Sequence, residues 1–230
     1  MVKQSEYIRL DDVNQFKRVL NNRVLVKTHQ KVTAERTKSG IIMIAPSETD
    51  WRPAEHTNRI SEVVLAPERL FYSEGVKDFD SMPWDTDMEL QKGDIVWHDF
   101  LAAHNCPVAV CDGQPDEEYK LLHYSDVYLV KRGEELIPIN GYVLCEEVWE
   151  QPPLMPREVN KKLGKVSLLG KPNRAYRRSK QTDEAEVKVG DTIIKRRKDV
   201  HILLEAEDHR VLDRPYFRIQ RRDIYGILES

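Results

Sequence analysis

The chain states one pattern twice, and this limits what it can fold into more than any other feature. The first copy runs through Asn22-Arg23-Val24-Leu25-Val26-Lys27, Glu62-Val63-Val64-Leu65, Gln91-Lys92-Gly93-Asp94-Ile95-Val96 and Tyr124-Ser125-Asp126-Val127-Tyr128-Leu129-Val130. The second runs through Gly141-Tyr142-Val143-Leu144-Cys145, Gly164-Lys165-Val166-Ser167-Leu168-Leu169, Val187-Lys188-Val189-Gly190-Asp191-Thr192-Ile193-Ile194 and Gln220-Arg221-Arg222-Asp223-Ile224-Tyr225-Gly226-Ile227-Leu228. A unit of about half the chain is too long for a solenoid turn, so two copies of one small β domain are expected.

The repeated segments are short, rich in β-branched residues and bounded by Gly, Asn, Asp or Lys, the mark of buried strands separated by turns. Lys92-Gly93-Asp94 and Val189-Gly190-Asp191 stand directly before apolar runs. Glycine there supplies a positive-φ turn, and aspartate can satisfy local amides. Many short strands with turns between them predict an all-β barrel or sandwich. No sustained helical periodicity is visible; Val13, Phe16 and Leu20 share a face and predict at most a short helical turn within 11–20.

The junction between copies predicts a hairpin. A strand ends at Val130, Lys131-Arg132-Gly133-Glu134 is turn-sized, and Leu136-Ile137-Pro138-Ile139 is apolar again. Pro138 cannot donate to a ladder and belongs at an edge or a strand start. Val127, Leu129, Val130, Leu136, Ile137 and Ile139, with Ile224, Ile227 and Leu228 of the closing segment, are the candidate domain and subunit interface.

The net charge of −3 gives no argument for nucleic acid. Three cysteines, Cys106, Cys111 and Cys145, form no disulfide framework, and a reducing compartment is the simpler reading. No apolar run approaches membrane-spanning length. Residues 1–20 resemble neither a signal nor a transit peptide, so a cytoplasmic location without membrane partners is expected.

The opening Asn22-Arg23-Val24-Leu25-Val26-Lys27 resembles the opening strand of the GroES-like co-chaperonins, and Lys92-Gly93-Asp94-Ile95-Val96 resembles their Val-Gly-Asp turn. Thr37-Lys38-Ser39-Gly40-Ile41-Ile42-Met43 is similar to the family's mobile loop, and Glu118 to Val130 to its closing segment. The second copy repeats the opening, the turn and the close. The resemblance covers nearly all of the chain after about Leu20. It implies two tandem GroES-like β-barrels: a first domain over 21–131, with a mobile loop at about 28–58 and a roof insertion at about 67–89, and a second over 132–230 with a degenerate loop at about 150–161. It also implies a non-enzymatic lid, without a cofactor, that self-associates into a ring and closes the chamber of a GroEL-type chaperonin during ATP-dependent protein folding. Doubled members of the family, such as the plastid type, resemble this layout.

The contact residues implied are Gly40, Ile41, Ile42, Met43 and Ile44, with Leu154 and Met155 as weaker candidates in the second loop. The residues agree with the resemblance on their own account. An apolar island between the polar stretches 35–38 and 47–52 suits groove recognition by aliphatic anchors. Each buried Ile contributes roughly 1.5–3 kcal/mol, against about 1–2 kcal/mol per residue for fixing the loop. One loop therefore binds weakly, and a ring of loops binds through effective concentration. The other reading of Ile41 to Ile44 is an ordinary buried strand. The second loop departs from the pattern: three prolines stiffen it, and Leu154-Met155 is a thin anchor, so loss of contact is expected there.

Two further readings stand beside this one. A structural ring or assembly protein could use the same tandem β architecture without binding a chaperonin. An enzyme would need more. His98, His104, Cys106, Cys111 and His123 are the types zinc takes, but their spacing lacks a close knuckle, so no metal site is expected. Medium-chain alcohol dehydrogenases contain a GroES-like domain but also require a Gly-rich dinucleotide turn, and the chain has neither that motif nor a P-loop nor a nucleophile elbow. The basic set Lys171, Arg174, Arg177, Arg178 and Lys180 reads as a solvated face.

Overall fold

The computed structural model describes residues 7–29, 35–36, 42–43, 59–73, 81–111, 117–153, 155–172, 187–196 and 216–228. Among the described residues the fold is mostly β, with two main sheets of eight and five strands and two sheets of two strands. Among the described residues neither main sheet closes into a barrel. The chain divides into two compact units, 1–82 with 90–127, and 83–89 with 128–230.

In the first unit the strands are β1 (Tyr7–Leu10), β2 (Arg23–His29), β3 (Glu35–Arg36), β4 (Ile42–Met43), β5 (Ile60–Leu65), β6 (Ile95–His98), β7 (Val108–Cys111) and β8 (Glu117–His123). A six-residue helix, α1 (Phe100–Asn105), links β6 to β7. Within this unit the strands of the larger sheet follow the order β1-β7-β8-β2-β5-β6. β2 and β8 pair antiparallel along their full length, from Arg23 opposite His123 to His29 opposite Glu117. β1 pairs parallel with β7 at the edge. One face buries Val19, Leu25, Ala109, Cys111 and Tyr119, with Leu10, Val13, Phe16 and Leu121 packed against them.

That packing refines the expectation for 11–20. The turn is a single 3₁₀ turn, Val13–Gln15, whose N-cap Asp12 accepts from the Asn14 amide. Its apolar face is Val13, Phe16 and Val19, while Leu20 is exposed. A 3₁₀ turn followed by extended chain rotates residue 19, not residue 20, toward the sheet.

The second unit holds most of β9 (Val127–Arg132), then β10 (Glu135–Pro138), β11 (Tyr142–Glu146), β12 (Trp149–Glu150), β13 (Glu158–Val159), β14 (Leu163–Leu169), β15 (Thr192–Lys195), β16 (Phe217–Gln220) and β17 (Ile224–Leu228). The five-stranded sheet has the order β16-β11-β14-β15-β17. Its core is Val143, Cys145, Val166, Val187, Ile193, Phe217 and Ile219. β9 and β10 form the antiparallel hairpin expected at the junction, turning at Gly133 with φ 61°, and Pro138 closes the edge strand β10 opposite Leu129.

Each unit repeats the other's hydrogen-bond pattern as well as its strand order. The run β8-β2-β5-β6 has its counterpart in β16-β11-β14-β15. Gly93 donates to the Val63 carbonyl and Gly190 to that of Val166, each at 2.8 Å. Both glycines have positive φ, 88° and 96°, which few other residues adopt cheaply. β2 carries a bulge between Leu25 and Val26 against β5; β11 carries one between Leu144 and Cys145 against β14. Before each opening strand the backbone turns left-handed, at Asn21-Asn22 and at Asn140-Gly141. After each closing strand a 3₁₀ turn follows, Tyr124–Asp126 and Arg221–Asp223.

Candidate functional site

The candidate contact residues fall between β2 and β5. Ile42 and Met43 form β4, which pairs antiparallel with β3, Glu35 opposite Met43 and Arg36 opposite Ile42. This two-stranded sheet belongs to neither main sheet. Gly40, Ile41 and Ile44 lie outside the described residues. The second copy has a counterpart in the same position: β12 and β13 pair between β11 and β14, with Trp149 opposite Val159 and Glu150 opposite Glu158. Met155 is exposed at the turn of that hairpin, and Leu154 lies outside the described residues. Trp149 is half exposed, and the Arg157 guanidinium sits 5.7 Å from the centre of its ring.

The candidate interface residues divide by burial. Val127, Leu129, Val130 and Ile139 are buried within the chain itself, Leu136 and Ile137 are partly buried, and Ile224 packs against the second core. Ile227 and Leu228 remain open, each 39 % exposed, on β17 at the end of the five-stranded sheet.

The stretch 67–89, expected as a roof insertion, is laid down rather than free over most of its described length. The Asn22 side chain donates to the Phe71 carbonyl at 2.8 Å and accepts its amide at 2.6 Å. Met82 donates to the same carbonyl and is buried. Residues 83–89 then enter the second unit. There the indole N–H of Trp84 donates to Asn140 Oδ1 at 2.7 Å, the ring meets Tyr142 edge-on, and the Arg222 guanidinium lies 4.7 Å from its centre. The Asn140 amide donates to Glu89 Oε2 at 2.7 Å, and Arg132 donates to the Glu89 carbonyl. Trp84 lies within the stretch 67–89 with no local pattern to mark it, because its partner is 56 positions away. The charged segment 173–180 lies outside the described residues, and Lys171 is exposed.

Burial favours the neutral forms of two groups weighed for enzymatic chemistry, His98 and Cys106. His98 is wholly buried on β6, its Nε2 2.8 Å from Ser61 Oγ on β5. Burial pushes its pKa down to about 4, against a smaller upward pull from the Asp99 backbone. Burial likewise raises the Cys106 thiol, and raises Cys145 to about 12. A thiol shifted that way is a poor nucleophile and a poor metal ligand. Cys111 is buried on β7 and Cys106 is partly exposed beyond the end of α1. Among the described residues, no group of three or more His, Cys, Asp or Glu gathers as a metal ion requires.

Among the described residues no helix is long and apolar enough to cross a membrane. Neither a protein-family model nor a curated protein matches the chain.

Proposed function

We propose that the chain is a non-enzymatic co-chaperonin: two GroES-like β domains in tandem that assemble into a ring, cap a GroEL-type chaperonin in the cytoplasm and close its chamber during ATP-dependent folding. The observation that carries this reading is the separate hairpin β3–β4. It bears Ile42 and Met43, is inserted between the opening strand and the next strand of the first copy, and stands outside both main sheets. An apolar pair on a hairpin separate from both main sheets suits recognition by a partner's apolar groove. ATP hydrolysis belongs to the partner. The second hairpin, β12–β13, occupies the corresponding place but lacks the Gly-aliphatic triplet, and it contributes little to capture.

The test is capture on an immobilised GroEL-type chaperonin with ATP. Wild-type chain is retained, and Ile42→Asp is not, because a carboxylate in an apolar groove is costly. Equal retention of both overturns the loop assignment. A ring that forms but is never retained supports the assembly-protein alternative instead.

A further inference from the structure

Asn140-Gly141 is the single Asn-Gly pair in the sequence. Such a pair is prone to a spontaneous reaction. The glycine amide nitrogen attacks the asparagine Cγ, a C–N bond forms, and the side-chain nitrogen leaves as ammonia. Water then opens the cyclic imide to aspartate or isoaspartate. The reaction requires the Asn side chain to swing onto the following amide, and glycine, lacking Cβ, offers the least hindrance to that approach.

In this fold the pair is fixed on several sides. Asn140 is fully buried and left-handed, with φ 60°. The carbonyl oxygen of its side chain, bonded to the carbon under attack, accepts from the Trp84 indole at 2.7 Å. Its backbone N–H donates to Glu89 Oε2 at 2.7 Å, and its backbone carbonyl accepts from Gln220 Nε2 at 3.1 Å. Gly141 in turn accepts from the Arg221 amide. Two of these four holds come from one short strap, 83–89, which reaches the second unit from a distant part of the sequence.

We propose that the 83–89 strap guards Asn140, and that release of the strap makes Asn140-Gly141 a site of deamidation. The reaction is one-way. Isoaspartate would add a methylene to the main chain in the tight turn between β10 and β11, and the strap could not settle back on the same partners. Asn140 thereby records whether the strap has been undocked.

The full-length chain tests this. Wild type, Trp84→Phe and Trp84→Ala are held for several days at mildly alkaline pH and mapped by peptide mass spectrometry, with urea-unfolded wild type as the fully open reference and circular dichroism as the check on folding. Native wild type should convert at position 140 far more slowly than the unfolded chain. Trp84→Phe keeps the ring but loses the donor, and should convert roughly five- to tenfold faster than wild type, in step with a larger opened population. A Trp84→Ala chain that stays folded should exceed that. Native wild type converting as fast as its unfolded form overturns the proposal. So does a folded Trp84→Phe chain that converts no faster than wild type.

Discussion

Asp94 and Asp191 do the same work at corresponding corners of the two units. Asp94 Oδ2 accepts the Gln91 amide and Asp191 Oδ2 the Lys188 amide, each at 2.7 Å. In each case the residue's own carbonyl accepts an amide from the adjacent strand, Val63 or Val166. The Gly-Asp pair is therefore a unit: glycine takes the positive-φ corner, and aspartate ties the turn closed before the next strand begins.

The corners differ in burial, and that sets the first prediction. Asp94 is buried, whereas the bond to Lys188 lies in the open. Asp94→Ala should cost about 1–3 kcal/mol, because the turn loses the acceptor that a buried side chain holds in place. Asp191→Ala should cost less than half as much, since water can replace the carboxylate. Urea midpoints for the two variants, followed by circular dichroism, test the ranking; equal losses would mean that the carboxylates are not what holds the corners.

The legible part of this fold is the part written in adjacent residues. Gly-Asp corners, β-branched runs and the Gly133 turn are local, so the strand positions and the β9–β10 hairpin could be read directly. Three features could not. β1 pairs parallel with β7 across a hundred positions, and the four residues Tyr7-Ile8-Arg9-Leu10 are too few to announce it. Helix α1 is six residues long, shorter than two turns, so periodicity cannot reveal it; only Asp99, whose side chain caps the Leu101 amide, marks its start. The strap is legible only after folding, because Trp84 and Asn140 are related by tertiary contact alone. Of the candidate site, the Ile42–Met43 segment could be found because its apolar island is local, whereas the pairing with Glu35 and Arg36 has no sequence signal of its own.

Close approach at two glycines yields the second prediction. A Cβ on Gly164 would meet Phe217 Cζ at 2.5 Å and Cys145 Cβ at 3.3 Å inside the second core. Gly164→Ala should destabilise the second unit by about 1–3 kcal/mol, the usual cost of an overfilled core. Phe217→Leu in the same chain should recover part of that, since the clash is with a ring edge. A Cβ on Gly170 would fall on the Pro138 carbonyl. That is backbone at the end of an edge strand, so Gly170→Ala should cost more, and no single side-chain change should repair it. Chemical denaturation of the three variants, read by tryptophan fluorescence, distinguishes the two cases.

His98 makes stability depend on pH. Its folded-state pKa, about 4, lies below the ordinary 6.5, because burial disfavours the charged ring and Arg59 and Lys120 nearby add to that. Between those values the unfolded chain binds the proton and the folded chain does not. The contribution is therefore complete above pH 6.5 and is lost as pH falls toward 4. The full span corresponds to roughly 3 kcal/mol. His98→Gln, which keeps a polar partner for Ser61, should flatten the stability profile through this window relative to wild type. Identical slopes for the two proteins would show that His98 does not control it.

The position of β17 supplies the last prediction and separates assembly from partner capture. β17 is bonded to β15 on one side and, among the described residues, ends its sheet on the other, with Ile227 and Leu228 partly exposed. Its counterpart in the first copy, β9, has its edge covered by β10 in register from Arg132 opposite Glu135 to Leu129 opposite Pro138. If chains assemble as proposed, a strand of another copy covers β17 in the same manner. A lysine on an exposed edge opposes such pairing. Native mass measurement should therefore find Ile227→Lys reduced to single chains, with circular dichroism unchanged, while Ile42→Asp keeps the wild-type assembly and loses only chaperonin capture. A wild-type protein that is already a single chain, or an Ile227→Lys variant that assembles normally, would remove β17 from the interface and with it the ring built through that edge.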